Sequence, residues 1–209
     1  MWAAVLARMA FDAAHDAGHL WRVARWTLAC APQAPPALAV AAALTHDLVN
    51  LPKDHPERAQ AGERSAEAAR EVLTGLGFAP VEVELIAVAV RDHSYSRGAV
   101  PEHDLGRALQ DADRLDALGA LGVLRCAAVG GALGRALFDP ADPWAQARPL
   151  DDGAYSLDHF FTKLLRLPAG FHTPLGRAEA ARRVDAMQRF LRDWGDELGA
   201  AGPEPVALA

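Results

Sequence analysis

Alanine and leucine dominate this chain, β-branched residues are sparse, and no Asn-Gly or Asp-Gly pair stands between alternating apolar segments. A sheet has little to be built from, because strands draw on Val, Ile, Thr and aromatic residues and tight hairpins on turns of that kind. Helix is what remains favoured, and the expected fold class is all-α. Apolar periodicity places helices at about 2–14, 15–29, 36–50, 59–76, 80–93, 105–129, 157–165 and 174–198. Pro36, Pro80 and Pro174 suit a first helical turn, and Gly75 and Gly77 suit a C-terminal cap. The stretch 130–156 is rich in Gly, Pro and Asp without sustained periodicity, so it reads as a long ordered loop. The 209 residues fit one helical domain over 1–198, followed by a small, Pro-interrupted, flexible tail at 199–209.

Charge and cysteine content exclude several classes. Twenty-one basic residues against 27 acidic ones give a net charge of −6, the wrong sign for a protein that holds nucleic-acid backbone. Cys30 and Cys126 are too few for a disulfide scaffold and lack metal or redox spacing. The longest uncharged run, 26–45, is interrupted by Pro32, Pro35 and Pro36 and does not suit a membrane span. The amino end meets its first charge at Arg8, too early for a signal peptide, so the expectation is a cytoplasmic protein with no membrane and no nucleic-acid partner.

The chemistry concentrates in a few acids and histidines. His46 and Asp47 sit in the apolar segment LAVAAALTHDLVNL, and one turn from Asp47 stand only Ala43, Leu44, Asn50 and Leu51. A carboxylate buried there without a cation costs several kcal/mol, and at the end of a helix the dipole disfavours it further. Asp113 poses the same question in LQDADRLDALGAL, with Leu109, Gln110, Asp116 and Ala117 around it. Asp111 sees Arg107 and Arg114 and reads as a surface ion pair. On an earlier helix His15 and His19 stand one turn apart, followed by Arg22. Three helices thus offer nitrogen and carboxylate donors to one point, a mixed site suited to a divalent ion such as Mn, Fe, Co, Ni or Mg. For His46 and Asp47 alone, a buried structural pair is an equal alternative.

These residues, with the strings LPKDHPER, RDHSYS, LQDADRLDALGALG, GGALGRALFDP, ARPLDD and YSLDHFFTKLLRLP, resemble the HD-domain metal-dependent phosphohydrolases, in particular a small stand-alone bacterial branch, over about residues 10–180. The resemblance implies a single HD-domain helical bundle in which His19, His46, Asp47 and Asp113 bind one divalent metal, with His15 beside them. It implies hydrolysis of a phosphoester or phosphoanhydride, on a small-molecule phosphate that is a nucleotide. The favoured reaction takes a nucleoside triphosphate to a monophosphate and pyrophosphate. The alternatives are a phosphomonoesterase and a noncatalytic nucleotide-binding HD module. No Glu-Asp pair follows the HD as in alarmone hydrolases, and no HDxGK marks the cyclic-dinucleotide group.

Residues around that site suit phosphate chemistry. Lys53, one of two lysines, is followed by His55, Arg58 and Arg64, a cluster able to neutralise phosphate, although a solvated charged loop reads the same way. His93 ends an apolar helix, as a C-terminal cap or as a proton donor to the leaving oxygen. Lys53 and His93 are therefore the catalytic candidates. His15, Arg22, His55, Arg58 and Arg64 are candidate substrate contacts. His159 and Lys163, one turn apart, are candidate nucleoside contacts or an ordinary polar helix face.

Overall fold

The computed structural model describes residues 1–9, 16–51, 55–94 and 97–202, with Arg58 described by its backbone alone. Its helices are α1 (Trp2–Leu6), α2 (Ala17–Cys30), α3 (Pro36–Thr45), α4 (Ala61–Gly75), α5 (Pro80–Asp92), α6 (Asp104–Asp116), α7 (Gly119–Ala132), α8 (Asp158–Thr162) and α9 (Pro174–Leu198). Short 3₁₀ segments occupy Arg58–Gln60 and Leu164–Gly170. The all-α expectation holds. Among the described residues the only extended pairing is one isolated bridge between Ala136 and Tyr155, and no single helix is long and apolar enough to cross a membrane.

Contacts divide the chain into two compact units: 1–114 with 172–176, and 115–171 with 177–209. In the first unit α3 is the core helix. Its Ala39, Ala41, Ala42 and Ala43 are fully buried, and such small side chains let α2, α4 and α5 pack close around it. Leu20 and Val23 of α2, Leu73 of α4, and Ile86 and Val90 of α5 fill the space between. The expected helix over 36–50 stops at Thr45, where the His46 ring turns back to satisfy the Ala43 carbonyl. The chain beyond is pinned by Ser65 of α4, whose Oγ accepts from Val49 N and donates to Val49 O, at 3.1 and 3.2 Å.

In the second unit α9 contributes Phe190 and Trp194 to an aromatic cluster with Phe138 and Phe160. The loop that follows α7 is ordered, as its composition suggests. Asp158, almost fully buried, accepts from both terminal nitrogens of Arg148 and from Asp151 N, and Arg148 also lies over the Tyr155 ring at 4.5 Å. Trp144 Nε1 donates to Ala200 O, which ties down the first residues of the expected tail; 203–209 lie outside the described residues.

The continuous helix expected over 105–129 is instead α6 and α7, separated by a break. Leu118 is extended, Gly119 has φ +76°, and Leu115 O accepts from Leu118 N at 3.0 Å and from Arg183 at 2.6 Å. The left-handed backbone at Gly119 is open to glycine without steric cost, and a Cβ there would also press on the Arg183 stem at 3.2 Å.

Glu179 joins this arrangement by accepting from Arg182 and Arg183. The Arg182 hydrogen bonds, against the upward push of burial and with help from Arg183, hold its carboxyl down to about 2. A carboxyl lowered in the folded state adds stability above its unfolded value of about 4.5, and that stability is lost as pH falls toward the folded value. The advantage of the native chain over Glu179→Gln in urea unfolding midpoint is therefore expected to be full near pH 6 and to shrink steadily as the pH is taken down through about 4.

Candidate metal centre

Four helices of the first unit bring nitrogen and oxygen donors to one point. His19 stands in the first turn of α2, which Asp16 caps by accepting from His19 N at 2.6 Å. His46 is the residue that ends α3, Asp47 follows it, His93 ends α5 in the same way, and Asp113 lies in the third turn of α6. His19 Nε2 and His46 Nε2 are 3.1 Å apart, and Asp47 Oδ2 is 3.7 and 3.3 Å from them. Asp113 Oδ1 is 3.7 and 3.8 Å from the same two nitrogens. Ligand atoms about 2.1 Å from one ion at tetrahedral or octahedral angles stand about 3.0–3.4 Å apart, so the cluster is at or slightly wider than coordination spacing.

Hydrogen bonding sets which ring nitrogens face inward. His46 Nδ1 donates to Ala43 O at 2.7 Å, and His93 Nδ1 to Val90 O at 2.6 Å, each three residues back. The Nε2 of a neutral ring held this way carries a lone pair, which is what a metal needs. His93 Nε2 lies 3.4 Å from Asp47 Oδ1, on the carboxylate oxygen that the other two histidines leave aside. The main-chain ends of α3 and α5 add negative potential at the same place, favouring a cation.

The titration of the cluster says the same. Burial alone would lower the His46 pKa, yet Asp47 first and Asp113 next raise it to about 9. Burial would raise the Asp47 carboxyl, but His46, then His19 and His93, hold it well below the usual carboxylate range; Asp113 is lowered by the same three rings. The cluster therefore favours positive charge, and a divalent cation held there would satisfy both carboxylates at once. His19, His46 and Asp47 form a group that could hold a metal, and the mixed N/O donor set fits the divalent first-row ions. A separate cavity of about 480 Å³, bordered by Cys30, Leu38, Leu85 and His103, lies at the far ends of α2 and α6 and is not this site.

The sequence profile of the HD domain matches residues 16–118. YpgQ of Bacillus subtilis (strain 168) is 33% identical over 154 residues, covering 72% of this chain and 67% of YpgQ. The chain belongs to the HD-domain family. A crystal structure of Bacillus subtilis YpgQ in complex with ADP matches this HD protein with a TM-score of 0.72 at 26% identity, over 94% of each chain. An HD-superfamily hydrolase from Bacillus thuringiensis matches with a TM-score of 0.70 at 29% identity, over 95% of this chain and 93% of that one.

Around the HD cluster the other candidate residues are less uniform. His15 and Lys53 lie outside the described residues, and Arg58 is placed by its backbone in the 3₁₀ turn before α4. Arg64 pairs with Glu57 at 2.7 Å, and His55 Nδ1 accepts from Glu57 N, so an acid is built into the basic cluster. Arg22 approaches Asp16 at 3.8 Å. His159 and Lys163 belong to the second unit, where His159 Nδ1 is held by Asp152 at 2.7 Å.

Asp111 is not a surface ion pair. It is fully buried, and its carboxylate accepts from His172 N, Thr173 N and Thr173 Oγ1 at 2.7–2.9 Å, holding the turn that opens α9. Gly176 makes room for it, since a Cβ there would stand 2.4 Å from Asp111 Oδ2. Sequence reasoning also passed over Gln110, fully buried beside it. Its signal was an uncharged polar residue one turn before Asp113.

Asp111 of α6 and Asp47, which follows α3, therefore separate by experiment. Asp47→Ala is expected to lose the bound divalent ion, read by elemental analysis of the purified protein, while remaining folded. Asp111→Ala is expected to keep the ion and to lose on the order of 2–3 kcal/mol in denaturant unfolding, because three buried donors are left without their acceptor. Stoichiometric metal in Asp47→Ala would remove Asp47 from the ligand set.

Proposed function

We propose that this HD protein is a divalent-metal-dependent phosphohydrolase acting on a nucleotide, and that its preferred reaction cleaves a nucleoside triphosphate with water into a monophosphate and pyrophosphate. The observation that carries the reading is the convergence of His19, His46, Asp47 and Asp113, with His93 Nε2 set against the outer oxygen of Asp47. Such a donor set holds one divalent ion, which supplies the activation of water and the neutralisation of charge at phosphorus. The ADP complex of the related YpgQ supports a nucleotide as the occupant.

The chain's own groups divide the remaining work. His93 gives its Nδ1 hydrogen to Val90 O, so Nε2 is the atom at which it takes up and releases a proton, and it holds that proton for the leaving oxygen. Lys53 and Arg58, on the segment that follows Asp47, supply positive charge for the phosphate oxygens beyond the one under attack. Arg64 and Arg22 each approach a carboxylate already, so their charge is partly committed. With a divalent ion, the charges of Lys53 and Arg58 would suit a polyphosphate, whose several anionic oxygens must be held while one anhydride breaks, better than a monoester.

Phosphorus NMR of a reaction containing the metal-loaded protein and a nucleoside triphosphate tests the assignment. Pyrophosphate and nucleoside monophosphate are the expected products, with a higher kcat/KM than for aryl phosphate monoesters. Orthophosphate alone, from triphosphates and monoesters alike, would make the protein a phosphomonoesterase. A nucleotide that binds without turnover across a panel of divalent ions would make it a binding module.

A further inference from the structure

Gln110 lies one turn before Asp113 on α6, is fully buried, and uses its whole amide. Nε2 donates to Asp92 O and to Ala99 O, both at 2.9 Å, and Oε1 accepts from His172 Nε2 at 2.6 Å. The two carbonyls fix which way the amide points, because the reverse orientation would set oxygen against oxygen. The acceptors are not scattered: Asp92 immediately precedes His93, and Ala99 closes the stretch that His93 opens. The Asp92 side chain closes the same stretch a second time, lying 3.2 Å from Arg97 Nε. One side chain of the helix that carries Asp113 therefore grips both ends of the segment that carries His93.

We propose that Gln110 is a positioning residue that sets where His93 Nε2 stands relative to Asp47 and Asp113. The inference rests on the proposed role of His93 in hydrolysis. No rotamer of His93 can compensate for a shift of its own backbone, because its Nδ1 is already tied to Val90 O and its ring packs edge-on against His46 at 4.9 Å between centroids. α5 holds His93 from one side and Gln110 ties the chain around it from a second helix, and an amide is the one neutral side chain that offers two donors and an acceptor together. Glutamate at this position would lose both donors and set a carboxylate against two carbonyls, and methionine would fill the volume without any hydrogen bond.

The test is a double-mutant cycle on the full, metal-loaded chain, with Gln110→Met, or Gln110→Asn should the first fail to fold, placed in native and His93→Ala backgrounds. In the native background the substitution is expected to lower kcat about tenfold or more, with KM changed less than about twofold and bound metal unchanged. In the His93→Ala background it is expected to change kcat less than about twofold. The same fold-loss in both backgrounds, or a folded variant with native kcat, would overturn the proposal. A second readout needs no turnover: ¹H–¹⁵N correlation of the imidazoles in the Mg²⁺-loaded protein. His93 is expected to show one sharp Nδ1–H form in the native chain and a shifted or broadened one in the Gln110 variant, with His46 unmoved. Unchanged His93 resonances would overturn the proposal as well. A chain that hydrolyses no phosphate compound would refute the reaction while the imidazole spectra still decide whether Gln110 places His93.

Discussion

Two imidazole nitrogens stand 3.1 Å apart between two carboxylates, with a third imidazole behind one of them, and the first unit is arranged around that fact. Their mutual electrostatics are strong: against the downward push of burial, Asp47 and then Asp113 raise the His46 pKa to about 9. The donors come from four helices, with His46 and Asp47 both at the end of α3, so the packing of α2, α3, α5 and α6 is what creates the site. Helix ends are used as well as side chains. α3 and α5 both stop at a histidine that satisfies one of its own helix's last carbonyls, and both stops face the same carboxylate.

Polar burial elsewhere in this unit is of a different kind. Asp111 and Gln110 are as buried as His19 and His46, yet every one of their described contacts is a hydrogen bond that ties α6 to a distant segment. Asp111 secures the turn before α9, and Gln110 secures the segment after α5. The distinction matters for function: the carboxylates of Asp47 and Asp113 face imidazole rings, whereas Asp111 accepts from two main-chain amides and one hydroxyl.

What could be read from the sequence follows from whether the deciding partner is near in the chain. The all-α class and the pairing of His46-Asp47 with His19 and Asp113 came from local facts: apolar neighbours one turn away, no basic residue on the same face, and motif strings matching a family. Asp111 was misjudged because Arg107 and Arg114 are near in sequence, while its actual partners at 172 and 173 are some sixty positions on. The stop of α3 at Thr45 and the break at Leu118 were missed for a related reason. Side chains that capture carbonyls, His46 from within the helix end and Arg183 from far downstream, decide where those helices finish, and apolar periodicity carries no record of either. The basic cluster was legible as charge but not as pairing, since Glu57 reads as an ordinary loop acid until Arg64 is seen against it.

Three consecutive duties fall on one short piece of α6. Gln110 reaches the α5 side, Asp111 reaches the turn before α9, and Asp113 reaches the histidine cluster, each along its own direction from the helix axis. A single residue inserted or removed between Leu109 and Asp113 would rotate one part of this set against the other by about 100°. No rotamer change recovers that angle. Substitutions within the helix can be absorbed one contact at a time, but its length cannot vary, so this is the stretch in which insertions and deletions should be absent wherever the fold keeps its site, while the loops after α7 remain free to change in size.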